Sequence, residues 1–142
     1  MMRWLLLDEV VSIQKNKALT RSRVPDAPVS AEPLLMEMMA QTGGLLLGAE
    51  KNFQDDIIFA KIESADFFES RAEEPLEIEA CSECLRPEGS WIDAAVKTQD
   101  GKKIAQARFL LMSVGKLEPG IQEPIVFHEA FMNHFRVREK VQ

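Results

Sequence analysis

The stretch Glu32–Gly48, "EPLLMEMMAQTGGLLLG", decides how this chain is read. It is almost wholly apolar, yet Glu37 and Gln41 stand inside it. Ser30 is placed to cap a helix, and Pro33 is tolerated in a first turn, where its missing N–H has no helical partner to lose. The segment therefore predicts a helix from Leu34 to about Gly48, left by the loop "AEKNFQDD". Residues four apart on a helix are neighbours, so Glu37 and Gln41 share a side that Gly44 and Gly48 continue. Every other side is Leu, Met or Ala, and a helix of that kind is expected to be wrapped by the strands of its own domain. A carboxylate buried there without partners is costly. Glu37 is accordingly read as lining a cleft, in preference to sitting paired inside a dry core.

Working outward, "RWLLLDEVVSI" reads as a first strand, or a short turn of helix running into one, and "KALTRSRV" (Lys17–Val24) as its partner after the polar "QKNK" turn. The connector "PDAPVSAEP" is rich in proline and irregular. Beyond the helix the pattern becomes extended. "IIFAKIESADF" (Ile57–Phe67) is strand-like, and "LEIEACSECL" alternates with Leu76, Ile78 and Ala80 on one face. "WIDAAVKT" and "KIAQARFLLMSV" flank Asp100-Gly101, a strong hairpin signal. The tail from Pro124 spaces Phe127, Phe131 and Phe135 four apart, which predicts a second, amphipathic helix. The fold class is thus α+β, with one sheet domain at residues 1–118 and a helical tail at 119–142.

The chain has 142 residues, 46% hydrophobic and 28% charged, with a formal net charge of -6. That charge argues against a general nucleic-acid binder. No apolar run is long enough to span a bilayer, and the block Trp4–Leu7 is cut short by Asp8 and Glu9, so a cytoplasmic protein is expected. The two cysteines, Cys81 and Cys84, are spaced so that a strand would send them to opposite faces. Without a second pair or a nearby histidine they make no zinc site, and no metal or cofactor is expected.

With these readings in hand, "PVSAEPLLMEMMAQTGG" resembles the central-helix segment of the β-hydroxyacyl-(acyl-carrier-protein) dehydratases of the FabA/FabZ type. Their segment runs close to "P..PGVL..EAMAQ..G", with a glutamate at the place of Glu37. "WLLLDEVVSI" is similar to the family's "FLLVDRV", and "FAKIESADFFESRAEEPLEIEA" to its "F.gid.aRF..pv.PGD.l..ev". The likeness covers about Trp4 to Val114. It implies a hotdog fold: a curled antiparallel sheet round one long central helix, two subunits joined sheet to sheet, and an acyl-thioester tunnel at the subunit boundary. It also implies Glu37 as the catalytic carboxylate, with Gln41, Pro33, Leu34, Met38 and Gly44 lining the substrate site. Backbone N–H groups at the helix start would polarise the thioester carbonyl.

The sequence departs from the family at one decisive place. Where the family has the histidine loop "GHFPG", this chain has "RVPDAP", Arg23–Pro28, with no histidine. Loss of a positioned general base typically forfeits about 10² to 10⁴ in rate. His128 and His134 lie in the tail, six apart and on different helix faces. Asp26 is a turn residue beside two prolines. The expected function is therefore a divergent dehydratase-like binder of 3-hydroxyacyl thioesters, a hydro-lyase if active. The alternatives are a hotdog thioesterase using Glu37, or a non-catalytic acyl-binding or accessory subunit, with a catalytic dehydratase as its heteropartner. An acyl-carrier-protein partner would dock on Arg21 and Arg23, or on Arg136, Arg138 and Lys140; a coenzyme A thioester needs no such patch. A homodimer or larger homo-oligomer is expected.

Overall fold

The first hairpin pairs β1 (Glu9–Gln14) with β2 (Lys17–Ser22) round the polar turn Lys15–Asn16. Strand alternation turns Val10, Ile13, Ala18 and Thr20 inward. The computed structural model describes residues 6–26, 30–69, 75–115, 127 and 129–142. Helix α1 (Ala31–Ala49) comes next, then β3 (Ile57–Phe67), β4 (Leu76–Cys81), β5 (Gly89–Lys97) and β6 (Lys103–Ser113). All six strands form one antiparallel sheet in the order β1-β2-β4-β5-β6-β3. The chain leaves β2, runs along α1 and returns on the far edge of the sheet, where β3 pairs with β6. The curled α+β sheet about one long helix is as expected.

The core lies between the inner face of the sheet and α1. Leu76, Ile78 and Ala80 of β4, Ile92 and Val96 of β5, and Phe109 and Leu111 of β6 meet Leu35, Met38, Met39 and Leu45–Leu47 of the helix. Each such aliphatic or aromatic side chain contributes about 1.5–3 kcal/mol when fully buried. Gly43 permits the close approach: a Cβ there would stand 3.1 Å from Ile92 Cγ2 and 3.1 Å from Phe109 Cε2. Beside it the buried hydroxyls of Thr20 and Thr42 are 2.7 Å apart, and Thr42 Oγ1 donates to Met38 O at 2.9 Å. This pair pins β2 to the helix and leaves neither hydroxyl unsatisfied.

Several boundaries move. α1 begins at Ala31 rather than Leu34, and Ser30 makes no side-chain capping bond. The acidic Glu32 in the first turn suits the positive end of the helix dipole. β4 stops at Cys81, so Cys84 lies in a bend and not on the strand. The expected boundary at residue 118 lies outside the described residues.

The tail is two short helices, not one. α2 (Glu129–His134) and α3 (Val137–Lys140) are separated at Arg136, which adopts the left-handed conformation with φ 52. Phe127, Phe131 and Phe135 still share a buried face, as their spacing implied. They form a train of rings with Phe53, at centroid distances of 5.2, 6.0 and 5.1 Å from one ring to the next. The chain then ends on β1: Val141 bridges Ile13 in parallel, and Gln142 N–H donates to Ile13 O at 2.8 Å.

β3 differs from the other strands. It is an edge strand of 11 residues, and nearly all of it is exposed. By its register with β6, Phe59 and Ile62 share the face of Leu111 and Phe109, which is the helix side of the sheet. They nevertheless remain 39% and 47% exposed.

Candidate functional site

The sheet curls about α1, and the helix is exposed only in its first half, at Glu32, Pro33 and Glu37, whereas Thr42–Gly48 are all buried. Glu32, Pro33 and Glu37 are exposed, Leu34 and Gln41 are half-buried, and Met38 is fully buried in the core. Pro33, Glu37 and Gln41 of the expected set thus share the open side of the helix's first half, and Gly44, further along the same line, is buried. Met38 points the other way, into the packing against the sheet.

Glu37 is held in place by a short relay. Gln41, one turn on, donates from Nε2 to Glu37 Oε1 at 3.1 Å. The Gln41 amide is itself oriented, because its Oε1 accepts the backbone N–H of Leu6 at 2.9 Å. With the oxygen committed to an N–H donor, the amide NH₂ must face the carboxylate. Leu6 is anchored in turn by Ser22, whose hydroxyl donates to Leu6 O. Gln41, expected at the substrate site, is thus hydrogen-bonded to the Glu37 carboxylate. The contribution of Leu6 comes from its main chain, so no side-chain pattern could have announced it.

Further along the same side, a Cβ built on Gly44 would meet no atom within 4 Å. One turn later the hollow ends. A Cβ on Gly48 would fall 2.6 Å from Cε2 and Cζ of Phe127 and 3.1 Å from Cδ1 of Phe53. From Glu37 to Gly48 is about 16 Å along the axis at 1.5 Å per residue. Phe127 was foreshadowed only as part of an apolar tail face; nothing in its spacing links it to Gly48.

The other candidates lie elsewhere. His134 is exposed on the tail, stacked edge-on with Phe135, at the end of the helix remote from Glu37. His128 is outside the described residues. Asp26 is exposed in the connector. The tail cations are largely matched internally, Arg136 by Glu139 at 2.5 Å and Arg138 by Glu129 at 3.2 Å. Arg21 is paired with Glu9 at 3.4 Å, while Arg23 is exposed. Among the described residues no group of three or more His, Cys, Asp or Glu is arranged to hold a metal ion.

A hollow of about 410 Å³ lies on the outer face of the sheet between Glu79, Cys81, Asp93, Lys97 and Arg108. Its charges are largely spoken for: Glu79 by Lys17 and Lys97, Asp93 by Arg108. Burial pushes the Cys81 thiol above the usual range, reinforced by its hydrogen bond to Glu79. A thiol so placed stays protonated near neutral pH, which removes it as a nucleophile.

No protein-family model matches the sequence, and no curated protein does. Solved structures do match. The thioesterase HI1161 of Haemophilus influenzae is 13% identical and superposes with a TM-score of 0.65, covering 80% of this chain and 82% of its own. The fold is the hotdog fold. A hypothetical thioesterase of Streptococcus pneumoniae TIGR4, solved with coenzyme A, is 14% identical, with a TM-score of 0.62 over 75% of this chain and 85% of that one. Smu.793 of Streptococcus mutans UA159, bound to acetyl CoA, is 18% identical, with a TM-score of 0.62 over 78% and 90%. At such identities the likeness carries the fold alone. It upholds the hotdog part of the sequence resemblance and not the dehydratase family in particular.

Proposed function

We propose that this hotdog chain binds acyl thioesters along the open side of α1 and hydrolyses them, with Glu37 as general base. The observation that carries the proposal is the aimed carboxylate. Among the described residues Glu37 has Gln41 as its hydrogen-bond partner on Oε1, which leaves Oε2 to take a proton from water. The water oxygen attacks the thioester carbonyl, the tetrahedral intermediate collapses with loss of the thiolate, and Glu37 returns the proton to sulfur. Thioester and water thus become acid and thiol. Charge developing on the carbonyl oxygen is met by the amino end of α1, one to two turns before Glu37. There Ser30 supplies no side-chain cap, and the N–H groups of Ala31 and Glu32 precede the hydrogen-bonded ladder.

Dehydration of 3-hydroxyacyl thioesters is the second reading, favoured by the resemblance of "PVSAEPLLMEMMAQTGG". It needs a base to take the α-proton as well as an acid for the hydroxyl. No described histidine stands near Glu37. The thioesterase HI1161 and the hypothetical thioesterase solved with coenzyme A support hydrolysis further. Coenzyme A esters suit this chain better than carrier-protein esters, since the candidate docking cations are mostly ion-paired.

One chain supplies only one wall of the site, and we propose a homodimer that supplies the other. β3 offers an unpaired edge and an apolar inner face at Phe59 and Ile62, whereas the opposite edge, β1, is occupied by the tail at Val141. Incubation of the purified protein with saturated and 3-hydroxyacyl coenzyme A thioesters, read by thiol release and mass spectrometry, tests the function. Hydrolysis predicts free thiol, abolished in Glu37→Gln. Loss of water without thiol release would replace this reading with dehydration, and full-rate thiol release from Glu37→Gln would remove Glu37 from the chemistry.

A further inference from the structure

We infer that Phe127, from the C-terminal tail, is the stop that sets acyl-chain length in this site. The inference rests on the proposed acyl slot and deepens it. On the helix side running from Glu37, Gly44 is buried yet a Cβ on it would meet no atom within 4 Å, and Gly48 lies under the Phe127 ring at a distance no side chain could share. The ring is 4% exposed, wedged edge-on against Phe53 and backed by Phe131 and Phe135. Phe53 is itself fixed by a left-handed backbone, φ 59, and by its N–H donating to Gly48 O at 2.8 Å. The far end of the tail is tied to β1 through Val141 and Gln142. The stop is therefore braced on both sides and is not a loose flap.

The geometry gives a length. The slot from Glu37 to Gly48 is about 16 Å, and about 10 Å of it, to Gly44, is clear of the ring. An extended chain advances about 1.2 Å per bond, from about 3.5 Å per three-bond residue. The clear part accommodates about eight bonds and the whole slot about thirteen. A thioester whose carbonyl sits at Glu37 is thus held best at on the order of ten carbons, and longer chains run into Phe127.

The test is binding of coenzyme A thioesters of 4, 8, 12 and 16 carbons to the full chain and to its Glu37→Gln form, by titration calorimetry, with Phe127→Ala and Phe127→Leu made in each. Each methylene that enters the slot is expected to tighten binding roughly fourfold, until the chain meets the ring. In Phe127→Ala the 16-carbon ester should gain at least about tenfold relative to the 8-carbon ester, whose own affinity stays put; Phe127→Leu should shift the optimum less. Cooperative thermal melting confirms that each variant is folded, and if Phe127→Ala is not, Phe127→Leu decides. An unchanged length profile in a folded variant, alongside good binding, overturns the stop and leaves the slot standing. Failure of every thioester to bind either protein overturns both.

Discussion

Replacing Gly43 and Gly44 by alanine, one at a time, separates the closed side of α1 from its open side. The two residues are adjacent in one helix, and each substitution gains about 1 kcal/mol of helix propensity. The surroundings differ. At Gly43 the new Cβ meets Ile92 and Phe109 at 3.1 Å, both of them fully buried, so those side chains must shift. Overpacking of this kind costs about 1–3 kcal/mol. At Gly44 nothing lies within 4 Å. Gly43→Ala should therefore lose up to about 2 kcal/mol on balance, and Gly44→Ala should gain about 1, raising Tm by about 4 °C. Because propensity cancels in the comparison, the gap of about 1–3 kcal/mol is the packing penalty itself. Urea unfolding at several protein concentrations measures it and shows any contribution from association. Equal stabilities, or a Gly44→Ala variant as damaged as Gly43→Ala, would refute the reasoning: the space above Gly44 would then be filled in the assembled protein, and no acyl chain could lie there.

Ile62→Asp places a charge on the exposed inner face of β3, where a single chain pays little for it; sedimentation should show the assembly falling to monomer, and an unchanged mass would dismiss β3 as the pairing edge. The exposed Cys84 should be alkylated well before the half-buried Cys81 at pH 7; labelling of Cys84→Ser as fast as wild type would contradict this order. Burial raises the carboxyl of Glu79, but the Cys81 hydrogen bond and the ammonium groups of Lys17 and Lys97 outweigh it and hold it below the ordinary 4.5. A lowered folded pKa gives stability that is present above pH 4.5 and lost as pH falls through the folded value. These partners are largely solvent-exposed, so Glu79→Gln should cost only about 0.5 kcal/mol at pH 7. The difference should close on acidification, and one that stays constant down to pH 3 would exclude the charge as its origin.

The parts of this fold that could be read in advance are those governed by local periodicity. The alternation of Leu76, Ile78 and Ala80 located β4, and Asp100-Gly101 located the turn into β6, where Gly101 takes φ 89. The span Ile57–Phe67 for β3 also held. What periodicity could not carry is which side of an apolar helix the sheet leaves uncovered. That depends on tertiary pairing, with β3 following α1 and joining β6 across a long connection. The left-handed break at Arg136 was hidden for a similar reason, since a non-glycine residue there is dictated by packing of the tail and not by its own preference. Glu37 and Gln41 were legible as a pair four apart. Their bond, and the Leu6 main chain that orients it, were not.

The bridge between Val141 and Ile13 has a consequence for how copies of this chain accumulate. A sheet with two bare margins can recruit molecules without end, and that is the route to fibres. Here one margin already carries the bridge from Val141. If β3 of one copy meets β3 of another, both recruiting margins are consumed in the same event, and growth terminates at two. Removing residues 141 and 142 would reopen the stitched side, so in a β3-paired dimer the tail that seats Phe127 would also keep the association finite.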